Sequence, residues 1–233
     1  MSDLALRISS ILDEITAACR KAGRDPHEVK LVAVSKNFAP EVIAEAYRLG
    51  LRTFGENRVQ ELKSKKPQLP ADIEWHMIGT LQRNKVKDIV GEVALIHSVD
   101  SFSLAKEISK QVLKRNIESD ILLQVNVAGE SSKHGFSPAE VLEAVEEICV
   151  LPGIKIKGLM TIAPYADNPE EVRPVFRQLR KLAESLEGLD LPNLQMQELS
   201  MGMSNDFAVA IEEGATIVRI GSLIFGNRNY VGN

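Results

Sequence analysis

The chain has 233 residues, of which 44% are apolar and 26% charged, and its net charge is −4 at neutral pH. These proportions suit a globular protein with a large core, and the absence of any lysine- or arginine-rich block argues against nucleic acid or an anionic membrane as partner. Two distant cysteines, Cys19 and Cys149, read as buried free thiols, four scattered histidines lack zinc spacing, and no run is apolar enough for a signal peptide or membrane span, so a reduced, cytoplasmic protein is expected. In chain order, Ser2 to Lys21 places Leu4, Ile8, Ile11, Leu12, Ile15, Ala18 and Cys19 on one helical face, and Gly23 and Pro26 end it. Strand-like "KLVAVSK" follows, then helical "PEVIAEAYRLG", between Pro40 and Gly50. "LRTFGEN", "IEWHMIG" and "VALIHSVD" read as strands, each followed by a helix: "RVQELKSKK", "LQRNKVKDIVG" and "SFSLAKEISKQVLKRN", the last capped by Ser101. "DILLQVNVA" is a strand before a helix opened by Ser137 and Pro138. "IKIKGLMTIA" is a strand before a long helix expected to bend near Pro174. "NLQMQELSMGM" leads into a helix capped by Ser204 or Asn205, and "ATIVRIGS" into the short segment "SLIFGN".

Eight strand–helix units, repeating at roughly 25 residues, imply a parallel sheet with helices outside. The expected fold is an α/β (β/α)8 TIM barrel with an extra N-terminal helix, one domain over residues 1–233. An open doubly wound sheet is the alternative, but "NFAP" after the first strand is no glycine-rich phosphate turn.

Barrel sites gather at the C-terminal ends of the strands. Lys36 closes the first strand. A lysine there ordinarily packs its stem and keeps its head in water, but the other strand ends also supply polar groups. Phosphate in such barrels often sits at the loops after strands seven and eight, here "SMGMSND" and "GS". Simple capping is the competing explanation for Ser204, Gly221 and Ser222. Arg219 interrupts the apolar "TIVRIG" and needs an acceptor, either on the barrel wall or in a ligand. A lysine, a phosphate site and an arginine together suggest pyridoxal 5′-phosphate, with lysine forming the Schiff base.

The blocks "LVAVSKN", "FGENRVQE", "WHMIGTLQRNK", "KHGF", "GLMTIAP", "LSMGMSND" and "VRIGSLIFG", in this order, make the chain similar to the pyridoxal phosphate homeostasis proteins, relatives of the alanine racemase barrel. The resemblance implies a Schiff base on Lys36, Arg219 facing the pyridine nitrogen, and phosphate contacts from Ser204, Gly221 and Ser222. It also implies Asn57, His76 and Met160 around the ring. The implied role is a cofactor carrier that maintains pyridoxal phosphate balance without an established reaction, and transient transfer to apo-enzymes is an expectation added to it.

The alternative is a pyridoxal-phosphate racemase or decarboxylase. Alanine racemases take a second base from a further domain of the partner subunit, for which this length leaves no room, so a monomer is expected. Among Tyr47, Tyr165 and Tyr230, only Tyr165 is placed near the strand ends. A cation at Arg219 also disfavours a protonated pyridine nitrogen and weakens the electron sink. A cofactor-free Schiff-base aldolase using Lys155 or Lys157 is a third reading, although both sit at a strand start.

Overall fold

The computed structural model of the chain describes residues 2–130 and 134–226, so Lys133 of the "KHGF" block and Tyr230 lie outside the described residues. Helix α1 (Asp3–Lys21) opens on Ser2, whose hydroxyl accepts the Ala5 N–H. Then follow β1 (Lys30–Val34), α2 (Pro40–Arg48), β2 (Thr53–Glu56), α3 (Val59–Lys65), β3 (Glu74–Met77), β4 (Leu95–Val99) and α4 (Phe102–Arg115). The second half runs β5 (Ser119–Gln124), α5 (Val141–Cys149), β6 (Ile154–Met160), α6 (Arg173–Glu187), β7 (Leu194–Ser200), α7 (Phe207–Glu212), β8 (Ile217–Ile220) and α8 (Ser222–Phe225).

The eight strands pair in parallel and in chain order to close a barrel. The seam joins first strand to last, with Val32 opposite Arg219 and Ala33 opposite Ile220. Alternation along the strands separates two packed regions. Ala33, Phe54, Trp75 and Met77 turn outward against the helices. Val32, Val34, Ile78, Leu95, Leu122, Met160 and Ile217 fill the interior. At Gly158, φ is +154° and an added Cβ would lie 1.8 Å from the Glu198 carbonyl oxygen. Glycine is required where β6 bulges against β7.

Four helical expectations need correction. The segment after β3 forms a 3-10 helix, Arg83–Asp88, instead of a full α-helix. Arg115, from α4, donates to the carbonyls of Lys87 and Val90, which a continued helix would have used. Pro174 does not bend a long helix. A 3-10 turn, Pro169–Val172, precedes α6, and Pro174 occupies its first turn, where its missing N–H goes unneeded. Helix α5 starts at Val141, not Ser137; residues 138–140 form a turn before it, across which the Ser137 N–H donates to the Glu140 side chain. Helix α7 starts after Asp206, with Ser204 and Asn205 in the turn before it.

Helices α7 and α8 have six and four residues, too short to cover the outside of the last strands. Helix α1 packs against both, burying Ile8, Ile11 and Ile15, and Lys21 pairs with Glu212 at 2.7 Å. Cys19 and Cys149 are buried thiols. Among the described residues, no helix is long and apolar enough to cross a membrane.

The dependence on α1 is measurable by urea denaturation. Ile11→Ala removes a side chain only 2% exposed and is expected to cost about 2–4 kcal/mol. Leu12→Ala, at a neighbouring position 44% exposed, is expected to cost less than about 0.5 kcal/mol.

Candidate functional site

Lys36 continues the inward alternation of Val32 and Val34, which carries it to the C-terminal mouth of the barrel, where it is half-buried. The residues on either side of it turn away into a buried ionic network. The Lys65 ammonium donates to the Ser35 carbonyl at 2.9 Å, to Glu56 at 2.7 Å and to Glu61 at 2.9 Å. The Ser35 hydroxyl donates to Glu56 at 2.7 Å, and the Asn37 N–H to Glu61 at 2.7 Å. Asn37 has φ +66°, a left-handed conformation that asparagine tolerates better than most residues. Both peptide neighbours of Lys36 are therefore tied to α3.

Glu56 is wholly buried. Burial pushes its carboxyl above the usual range, against the opposing pull of Lys65 and Ser35. At Glu61 burial acts the same way, but the Asn37 N–H and Lys65 outweigh it and hold the carboxyl below its usual value.

Arg219 continues the inward alternation of Ile217 on β8 and is 5% exposed. It donates to Ser200 Oγ at 2.6 Å and to the Thr161 carbonyl at 2.9 Å. Burial lowers its pKa to about 10, with Asp206 opposing, so it remains a cation at neutral pH.

Lys36, Asn57, Ser204, Arg219, Gly221 and Ser222 line one cavity of about 410 Å³ at this mouth, with Val34, Ile78 and Ile162 as apolar wall. The Ser222 and Ser204 hydroxyls are 3.0 Å apart. An added Cβ at Gly221 would lie 3.3 Å from Val34, so glycine lets the last loop close on the first strand. Helix α8 begins at Ser222, and the first N–H groups of a helix have no acceptor within it. Asn57 is held from behind by Gly79, where an added Cβ would meet the Asn57 carbonyl oxygen at 2.4 Å.

Two predicted residues do not line the cavity. Met160 is buried in the interior cluster with Val34 and Ile78, below the wall. His76 lies deeper still. Ile78, just past the end of β3, is the inward side chain that reaches the mouth, and His76 hydrogen-bonds His97 at 2.8 Å and Glu74 at 2.9 Å inside the barrel. Tyr165 sits at the cavity's edge but is 81% exposed. A larger cavity of about 570 Å³ lies outside the barrel beside α3. None of its lining residues follows the C-terminal end of a strand, and two of its lysines are paired, Lys63 with Asp88 and Lys66 with Glu92.

The cavity's chemistry fits pyridoxal phosphate on observations independent of any relative. An amine and a guanidinium share it with two adjacent hydroxyls at a helix start, and Asn57 brings a buried Oδ1 that lacks a partner. Its volume suits a small cofactor.

The alanine racemase N-terminal domain model matches residues 10–229. A pyridoxal phosphate homeostasis protein from Aquifex aeolicus is 52% identical, over 96% of this chain and 98% of its own. The chain belongs to this family. Among solved structures, an unknown protein from Bifidobacterium adolescentis superposes with TM-score 0.91 at 36% identity, covering 96% of this chain and 97% of its own. PipY of Synechococcus elongatus PCC7942, solved with pyridoxal phosphate bound, gives 0.83 at 37% identity, covering 96% of this chain and all 100% of its own. The homeostasis family and its barrel were legible in the sequence blocks quoted above. The Glu56–Lys65–Glu61 network behind Lys36 was not, although Glu61 and Lys65 stand at the i,i+4 spacing of a helical ion pair.

Lys65→Met leaves Glu56 buried without its cation, so a loss of about 3–5 kcal/mol is expected in urea denaturation. Adding Glu56→Gln to the same chain should recover much of it, because the second change removes the stranded charge.

Glu74 supplies a second check. The His76 N–H chiefly holds its pKa at about 2, with burial opposing and Lys30 assisting. A folded pKa below the unfolded one gives stabilisation that is full above the ordinary carboxylate range and is lost as pH falls through about 2. The side chain is 38% exposed, and screening limits the contribution to about 1 kcal/mol. The stability gap between wild type and Glu74→Gln should therefore close as denaturation is repeated from about pH 5 downward.

Proposed function

We propose that the chain holds pyridoxal 5′-phosphate in this cavity, with Lys36 carrying the covalent link, and serves pyridoxal phosphate homeostasis. The observation that carries this reading is the meeting of Lys36 and Arg219 in one cavity with Ser204 and Ser222. When bound, the cofactor supplies an aldehyde to the Lys36 amine. Arg219 faces the pyridine nitrogen and, as a cation at neutral pH, disfavours a proton there. Ser204, Ser222 and the peptide N–H groups from Gly221 onward receive the phosphate. Asn57, on the cavity wall, would stand beside the ring. Met160 acts from beneath, through Val34 and Ile78, and His76 acts through the interior instead of touching the ring.

Carriage fits the site better than turnover. Proton abstraction from both faces of an α-carbon needs a second base held in place. Tyr165, the tyrosine at the cavity, is 81% exposed. The mouth stays open for cofactor to enter and leave, which suits transfer to apo-enzymes by a monomer.

Borohydride reduction followed by peptide mass mapping should place the adduct on Lys36, and Lys36→Ala should abolish it. Arg219→Glu should shift the absorption of the bound cofactor and weaken its retention. Ser204→Ala with Ser222→Ala should weaken retention while leaving the backbone share. An adduct on another lysine, or no uptake of pyridoxal phosphate, would refute the reading. Light scattering and a mixed assay with an apo-enzyme test the monomer and the transfer.

A further inference from the structure

Below Arg219, a line of buried polar side chains crosses the barrel interior to the opposite mouth. The links are Arg219 to Ser200 Oγ at 2.6 Å, Ser200 Oγ to His97 Nδ1 at 2.8 Å, His97 Nε2 to His76 Nδ1 at 2.8 Å, and His76 Nε2 to Glu74 Oε1 at 2.9 Å. Ser200 and His97 are 0% exposed and His76 1%. Glu74 stands at the strand starts and also accepts from Lys30 at 2.8 Å.

The two ends fix their own links, and with neutral rings they fix the direction of the links between them. A guanidinium can only donate, and an ionised carboxylate can only accept. Ser200 has a single hydrogen, and with Arg219 donating to its oxygen, that hydrogen is available to His97 Nδ1. His97 must then carry its proton on Nε2 and give it to His76 Nδ1. His76 likewise carries its proton on Nε2 and gives it to Glu74. With both rings neutral, every link has one donor and one acceptor and the Ser200 hydrogen is used as well. An extra proton on His76 would reverse the two links above it. Ser200 would then accept from both Arg219 and His97, and its own hydrogen would lose this acceptor.

We propose that Ser200, His97, His76 and Glu74 are positioning residues for Arg219, forming a one-way relay of hydrogen bonds that fixes the guanidinium at the cavity and keeps both imidazoles neutral beneath it. This inference rests on the pyridoxal phosphate reading for its purpose, but not for its hydrogen-bond order. The electrostatics agree with the geometry. Burial, then the neighbouring His76, Arg219 and Lys30, hold His97 well below the usual histidine range. Burial also lowers His76, against the pull of Glu74. The arrangement gives the buried arginine an oriented acceptor without adding a second cation beside it.

The test begins with ligand-free protein. Histidine ¹⁵N spectra at neutral pH should show His76 and His97 as neutral rings, each protonated on Nε2 alone. Glu74→Leu removes the acceptor that sets both tautomers and should destroy this single-tautomer signature, whereas Ser200→Ala should leave it in place. Glu74→Gln keeps an acceptor and should restore it. With pyridoxal phosphate added, Ser200→Ala should shift the absorption band and lower retention several-fold, and Ser200→Thr should recover both. Either wild-type ring found doubly protonated, or protonated on Nδ1, would overturn the relay. So would a native band and native retention in both Ser200→Ala and Glu74→Leu, or Thr and Gln variants no better than Ala and Leu. If a substitution prevents folding, the wild-type tautomers still decide the order. A chain with the expected tautomers that takes up no pyridoxal phosphate refutes the cofactor reading and leaves the relay standing.

Discussion

A permanently charged guanidinium buried inside a barrel must have its donors met, and much of the site follows from that requirement at Arg219. Placing it on β8 opposite Val32 commits the neighbouring strands to supply acceptors. The Thr161 carbonyl beyond β6 meets one nitrogen and Ser200 of β7 meets another. An uncompensated charge at this depth would cost several kcal/mol. The same demand explains why an interior that elsewhere holds valine, isoleucine and leucine also contains two histidines and a serine. The polar interior and the cavity are two faces of one arrangement, with the arginine shared between them.

Lys36 is positioned by different means. Its side chain must reach a ligand, so its geometry is fixed through the peptide units on either side. Ser35 and Asn37 are each held from α3, through Lys65 and Glu61. The Glu56 carboxylate behind them is wholly buried, an expensive group that packing alone would not require. Buried ion pairs contribute little net stability compared with apolar side chains of similar volume. Here the network supplies direction, because its donors and acceptors accept only one placement of the loop.

The strands were legible because each is a short apolar run bounded by turn residues, and eight of them at a steady spacing specify closure. Lys36, Asn57, Ser204, Arg219, Gly221 and Ser222 were legible as strand-end positions, and the cavity gathers all six. Depth was harder to read. Whether His76 or Ile78 reaches the mouth depends on where β3 stops relative to β2 and β4, which is set by register between strands and not by the sequence of one. The 3-10 helix at Arg83–Asp88 has a similar cause, since Arg115, from a different segment, claims its carbonyls. Glu56 looks in sequence like any solvated acid at a strand end. Its burial follows from Lys65 folding back over it, nine positions along the chain.

The seam of the barrel gives the site a place in time. Lys36 follows the first strand and Arg219 lies on the last, and these two strands pair directly. Helix α1, made before every strand of the barrel, packs on α7 and α8, which flank the last strand. Such pairings across nearly the whole chain must wait for its far end and close a long loop, which slows folding. A nascent chain therefore carries its lysine for most of its synthesis without the arginine or the second serine. Neither half can build the cavity alone, and a ligand that touches both sides of the seam acts as a clasp on the closed ring.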